Sequence, residues 1–176
     1  FRRVLFRSRN INEYPHVLHM LRDLALRHVD GASRPGARLW LERGAMLNNA
    51  GHTRNAEEVY DCIGKFGFEV IDMATLPVSE QIRRVASAAI IAGPHGAQFA
   101  HAQFMPPAST VIECFSPIHV NPSILQVCRV LKHSYHQVVA RSHLFKPYAY
   151  GRDCQVDCEH LGLLLDSILG AAPQAR

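Results

Sequence analysis

Two short runs constrain this chain more than anything else in it: "AAIIAG" at 88–93 and "STVIEC" at 109–114. Each is short and mainly apolar, with glycine or proline close by. That is the pattern of a strand buried on both faces, as strands in parallel sheets are. "RLWLE" (38–42), "FEVID" (68–72) and a stretch over about 133–139 read as further strands.

Helical spacing fills the gaps between them. Val17, Met20, Leu21 and Leu24 recur at i, i+3, i+4 and i+7, which predicts an amphipathic helix over about 14–28. "DGASRPGA" (30–37) is a loop, and a Gly- and Asn-rich turn follows residue 42. Val59, Cys62, Ile63 and Phe66 repeat the helical spacing up to Gly67, and Ser79 opens a helix containing Ile82, Val85 and Ala86. A helical stretch runs from Gly96 to about Phe104, where Pro106–Pro107 stop it, and another covers about 122–131. After an irregular stretch, Leu161, Leu164, Leu165 and Ile168 mark a closing helix, with Asp157 and Glu159 at its positive N-terminal end. Strands alternating with helices specify an α/β, Rossmann-like domain with a mainly parallel sheet and helices on both faces.

The first eight residues, "FRRVLFRS", back-translate without mismatch to TTC AGA CGT GTG CTC TTC CGA TCT. This resembles a sequencing-library adapter, so the domain is taken as 9–176. Removing the three charges of Arg2, Arg3 and Arg7 from the formal +4 leaves +1. A near-neutral domain without a basic block carries no electrostatic footprint for nucleic acid or an anionic membrane. No apolar run reaches the roughly 18 residues of a membrane span. Cys62, Cys114 and Cys128 fall on apolar faces or in a strand, as reduced core cysteines do. Cys154 and Cys158 are spaced C-x3-C without a second pair at zinc-ligand spacing, which leaves a disulfide open. The 11 histidines are scattered, and no metal site is expected.

Ligands of open α/β sheets bind outside the carboxyl ends of the strands, where loops lead into helix N-termini. Gly93–Pro94–His95–Gly96–Ala97 occupies such a point. Gly96 would let backbone N–H groups approach an anion, the helix start offers unpaired donors, and His95 could add one more hydrogen bond to a phosphate oxygen. A histidine that merely caps the helix is the alternative. Glu113, closing "TVIEC", belongs to the same sheet edge. It could accept from ribose hydroxyls, hold an imidazole in one orientation, or be a solvated strand end. In "HTRNAEEV", Asn55 and Glu58 form a capping-box pattern, whereas Arg54 has no such role and with Arg43 could grip a phosphate. Periodicity turns Gln81 toward solvent.

Laid end to end, these features resemble the C-terminal half of the family 61 glycosyltransferases, which include capsular-polysaccharide, xylosyl-, arabinosyl- and O-linked N-acetylglucosaminyltransferases. The resemblance runs through "LWLERG" (39–44), "RNAEEV" (54–59), "FGFEVIDMATLPVSEQ" (66–81), "AAIIAGPHGAQFAHAQFMPPASTVIE" (88–113) and "NP" (121–122), in order. It implies the donor-binding half of a GT-B enzyme that moves a sugar from a nucleotide-sugar, UDP-linked in the family, to a glycan or other hydroxyl acceptor. It also implies an inverting, metal-independent reaction with no cofactor beyond the donor, in bacterial polysaccharide biosynthesis in the cytoplasm, at the inner face of the membrane. His95, Gly96 and Ala97 match the family's His-Gly-Ala, with Gly93 opening the turn. Glu113 matches its glutamate after the next strand, Arg43 its strand-ending arginine and Gln81 its "EQ" glutamine. The resemblance makes His95 and Glu113 the catalytic candidates.

Three departures accompany the match. Gln98, Phe99, Ala100 and His101 stand where the family continues Gly-Leu-Thr-Asn, and Arg54 directly precedes Asn55 where the family keeps its arginine earlier. The half that supplies the acceptor site and often the general base in GT-B enzymes is not represented. Residues 9–176 alone are thus expected to bind donor nucleotide without transferring sugar. A polysaccharide pyruvyl transferase and a non-catalytic nucleotide-binding module are the competing readings.

Overall fold

The computed structural model describes residues 15–29, 35–42, 53–117, 120–139 and 154–170. Its centre is a five-stranded sheet in which every neighbouring pair is parallel. The strands are β1 (Ala37–Glu42), β2 (Glu69–Asp72), β3 (Ala88–Pro94), β4 (Thr110–Phe115) and β5 (Ser134–Val139), in the spatial order β2-β1-β3-β4-β5. Helices α1 (Pro15–Arg27), α2 (Ala56–Gly64), α3 (Val78–Val85), α4 (Ser123–Leu131) and α5 (Cys158–Gly170) surround it. The fold is thus α/β and Rossmann-like, with each expected strand and helix present.

Alternation along each strand divides the core into two layers. Trp40, Ala92, Ile112 and Val138 point to one face, where Val59 and Ile63 of α2 and Leu161 and Leu165 of α5 cover them. Leu41, Ile91 and Val111 point to the other, beneath Val85 of α3, Phe99 and Ala102, and Ile124 and Cys128 of α4. Because both faces are covered, β3 and β4 read in the sequence as almost unbroken apolar runs.

Strand order reverses between β1 and β3, so the crevice at a topological switch point opens beside the carboxyl ends of those two strands. The approach there is close. A Cβ built on Gly93, where φ is +155°, would stand 2.5 Å from the Leu41 carbonyl oxygen, so only glycine lets β3 lie so near β1.

Two expectations change. In α1 the apolar stripe faces outward, with Met20 59% and Leu24 52% exposed. The inward side carries Leu18, Arg22, Ala25 and Leu26, and Arg22 Nη1 donates to the carbonyls of Met105 (2.7 Å) and Gln103 (3.3 Å). The stretch after Gly96 is helical, but Ala97–Phe104 has 3₁₀ geometry. Asp157 caps α5 by accepting from the His160 N–H at 3.2 Å, and Glu159 lies in its first turn. No helix among the described residues is long and apolar enough to cross a membrane.

Candidate functional site

β3 ends at Pro94, and the chain turns through His95 and Gly96 into the 3₁₀ run. The turn is held by the His95 N–H on the Cys114 carbonyl of β4 (2.8 Å) and by Gln98, whose buried Nε2 donates to the Pro94 carbonyl (2.7 Å). Gly96 is fully extended, at φ 174° and ψ −179°, a conformation open to any residue. Of the two glycines around the imidazole, Gly93 is therefore the one that the backbone demands. The amides of Ala97 and Gln98 precede the first internal bond of the run, from the Phe99 N–H to the Gly96 carbonyl (3.1 Å).

His95 is anchored from below. Its Nδ1 lies 2.7 Å from Glu113 Oε1, and its ring stacks on Phe115 with centroids 4.7 Å apart and planes at 24°. The His95 side chain keeps 14% of its surface exposed, and that of Glu113 keeps none. Glu113 Oε2 accepts from the Tyr135 hydroxyl at 2.7 Å, and Gln137 Nε2 donates to that hydroxyl oxygen at 3.3 Å. Facing an ionised Glu113, the ring donates through Nδ1–H, and Nε2 is its second nitrogen. Nε2 is an acceptor when the ring is neutral and a donor when it is protonated. Burial, then the Glu113 carboxylate, push the Tyr135 hydroxyl up from its ordinary range, so the phenol stays a donor.

Of the readings open to Glu113, the structure shows the one in which it meets an imidazole. A carboxylate with no exposed surface and a partner on each oxygen is not a solvated strand end. Tyr135 and Phe115 escaped the sequence reading, and Gln98 entered it only as a departure from the family pattern. Only the aromatic and amide character of "SYHQVV" hinted at the first, and its pairing with Glu113 is set by the β4–β5 register.

The other candidates are distributed more widely. Gln81 is not solvent-facing: it is half-buried, and its Nε2 donates to the carbonyls of Met73 (2.9 Å) and Leu76 (2.8 Å). It thereby clamps the short 3₁₀ turn Met73–Thr75 after β2. Arg54 is exposed before α2, its N–H on the Cys154 carbonyl at 2.9 Å. Arg43 lies outside the described residues, as do the turn after residue 42, the irregular stretch before Cys154 and residues 1–8. Asn55 occupies the N-cap position of α2 without a side-chain cap bond, and the expected capping box gives way to a staple. Asn55 Nδ2 donates to Glu58 Oε2 (2.8 Å) and the Val156 carbonyl (2.9 Å), while Oδ1 accepts from the Val156 N–H (2.9 Å). The side chain thus joins α2 to the segment entering α5.

All five cysteines are free thiols, including Cys154 and Cys158. Among the described residues no group of three or more His, Cys, Asp or Glu side chains is arranged to hold a metal ion.

A search of protein-family models matches residues 2–112, more than half of the chain, to the family described as Glycosyltransferase 61. The match includes the β3 turn with His95 and ends one residue before Glu113. A comparison with curated proteins returns no match.

Proposed function

The chain belongs to glycosyltransferase family 61, and from that premise we propose that the turn after β3 binds the diphosphate of a nucleotide-sugar donor during an inverting sugar transfer. In that reaction an acceptor hydroxyl oxygen attacks the anomeric carbon and gives its proton to a general base, the bond from that carbon to the phosphate oxygen breaks, and the nucleoside diphosphate departs with the electron pair. A departing diphosphate needs its charge met in a site of fixed donors. His95 carries this reading: it stands at the carboxyl end of β3, beside the switch point, its Nδ1 on the buried Glu113. A protonated ring keeps that bond and gives Nε2–H to a phosphate oxygen, while the amides of Ala97 and Gln98 open the adjoining 3₁₀ run. Gly93 keeps this turn close to β1, and Gln81 shapes the loop after β2.

Arg43 and Arg54, on the segment between β1 and α2, are the further candidates for phosphate contacts. We assign Glu113 to positioning His95 and not to touching the donor. The proposed protein is the donor-binding half of a GT-B enzyme, with UDP-linked sugar as donor, a glycan or other hydroxyl as acceptor, and charge neutralisation by protein donors without a metal. Its place would be bacterial polysaccharide assembly at the cytoplasmic face of the membrane.

Calorimetry of the full-length protein with uridine diphosphate tests the reading. Binding is expected, and His95→Ala is expected to weaken it at least about tenfold, as loss of a hydrogen bond to a charged group does. Equal binding by the variant, or no nucleotide binding by the unaltered protein, defeats the assignment. Phosphoenolpyruvate in parallel distinguishes a pyruvyl transferase.

A further inference from the structure

The anchoring of His95 extends past its first partner. Donors converge on Glu113 from both sides: Gln137 Nε2 donates to the Tyr135 oxygen and the Tyr135 O–H to Glu113 Oε2, while Glu113 Oε1 receives the ring of His95. The parallel register places Gln137 beside Glu113 and Tyr135 beside Val111, so these side chains share one face of the sheet. The terminal torsion of a glutamate is soft. A carboxylate held at one oxygen can rotate away from the geometry that a ring requires, and a second donor on the opposite oxygen removes that freedom. The phenol is well placed for this, since it is partly buried against the same core layer as Val111 and Cys128. Burial and then Glu113 also push the Cys128 thiol of this layer up to about 12.

We infer that Tyr135 is a positioning residue for His95, acting through Glu113: the phenol fixes the carboxylate, the carboxylate fixes the Nδ1–H form of the ring, and Nε2 is thereby set for the ligand. The ligand in the last clause rests on the donor reading above. The fixing of the ring does not, and a hydroxyl that only filled the core would leave the imidazole untouched.

The test uses the full-length protein with ¹⁵N-labelled histidine and long-range ¹⁵N–¹H correlation of the imidazoles, the His95 signals being assigned by their loss in His95→Ala. The unaltered protein is expected to show protonated Nδ1. Tyr135→Phe, which keeps the ring's volume, is expected to give a mixture of tautomers. Its uridine diphosphate affinity should fall in proportion to the rings no longer in the oriented form, about twofold for an even mixture, and the pH dependence of binding should shift. Glu113→Gln provides a second arm, because its amide N–H can face the ring and convert Nδ1 to an acceptor. A His95 spectrum and pH profile unchanged in Tyr135→Phe overturn the inference. If Tyr135→Phe does not fold, an unchanged His95 tautomer in Glu113→Gln overturns it instead. Failure of the donor reading is separately visible: His95→Ala then binds nucleotide as well as the unaltered protein, while the tautomer change in Tyr135→Phe still supports positioning.

Discussion

Glu42 and Glu113 stand near the carboxyl edge of one sheet, on opposite faces, and each accepts from a tyrosine. Tyr60 of α2 donates to Glu42 Oε2 at 3.0 Å, and Tyr135 of β5 donates to Glu113 Oε2 at 2.7 Å. Each carboxylate also leaves its mark on a thiol. Burial and then Glu42 push Cys154 up to about 12, and burial and then Glu113 do the same to Cys128. The difference lies in the remaining named donor. For Glu42 it is Trp40 Nε1, at 3.0 Å, from a side chain sealed in the core and without a titratable proton at neutral pH. For Glu113 it is the imidazole of His95, in a turn at the strand's end. One cluster ties Tyr60 and Trp40 to a half-buried carboxylate. The other sets a fully buried carboxylate against an imidazole, a group able to change protonation.

The strongest way to break both clusters at once is Gly93→Ala. Gly93 pairs in register with Glu113 on β4 and presses on the backbone of Leu41, next to Glu42. The added Cβ meets a carbonyl oxygen of an adjoining strand, which cannot swing aside as a side chain can. Overpacking of this kind is expected to cost about 3 kcal/mol, read as a lower denaturation midpoint at unchanged slope. Stability within about 0.5 kcal/mol of the unaltered protein would show that β1 and β3 separate easily, and that the close approach is not structural.

The contrast also marks where the sequence is readable. Strands and helices were legible because hydrophobic period reports burial directly, and the edge carrying His95 and Glu113 followed from the α/β pattern. Periodicity says that a helix has an apolar stripe but not whether a layer covers it, so α1 came out turned about its axis. Asn55 looked like a cap because its neighbours fit one, while its main partner, Val156, lies far along the chain. Helical phase likewise places Gln81 outside, but the turn after β2 presents two carbonyls that its amide satisfies. Tyr135 was invisible for the same reason. Its role depends on register between β4 and β5, which local pattern does not encode.

Acid should act next in size and fall unevenly on the two sides. His101, in the 3₁₀ run, and His133, ahead of β5, both titrate below the ordinary 6.5 because burial disfavours their charged forms. For His133 a backbone contact at Ala102 offsets part of this, and the Arg22 charge adds to it. The unfolded chain therefore takes up these protons first, and stability present above about pH 6.5 is lost as the pH falls through the lowered folded values. His136, on the opposite face, adds in the same direction. Hydrogen-exchange protection, relative to the intrinsic rate at each pH, is expected to fall around Ala102 before it falls in α2 and α5 as the pH drops from 7 to 5. A uniform fall would mean that the layer over Glu113 is no more acid-labile than the layer over Glu42.

The smallest effect, and the sharpest for the comparison, is expected from Tyr60→Phe. Burial and then Glu42 raise the Tyr60 hydroxyl to about 12, so the phenol is a permanent donor at neutral pH. Removing it leaves Trp40 Nε1 on the same carboxylate oxygen. Loss of one such partly buried hydrogen bond should lower stability by about 1 kcal/mol. Because Tyr60 meets a carboxylate on the opposite face from His95, the imidazole spectrum and the affinity for uridine diphosphate should not move. Tyr135→Phe removes the same atom from the same kind of partner and is expected to change both. If the two substitutions affect nucleotide binding alike, the link from β5 to His95 is not specific, and the difference between the clusters lies in their packing instead of in the donor that each carboxylate holds.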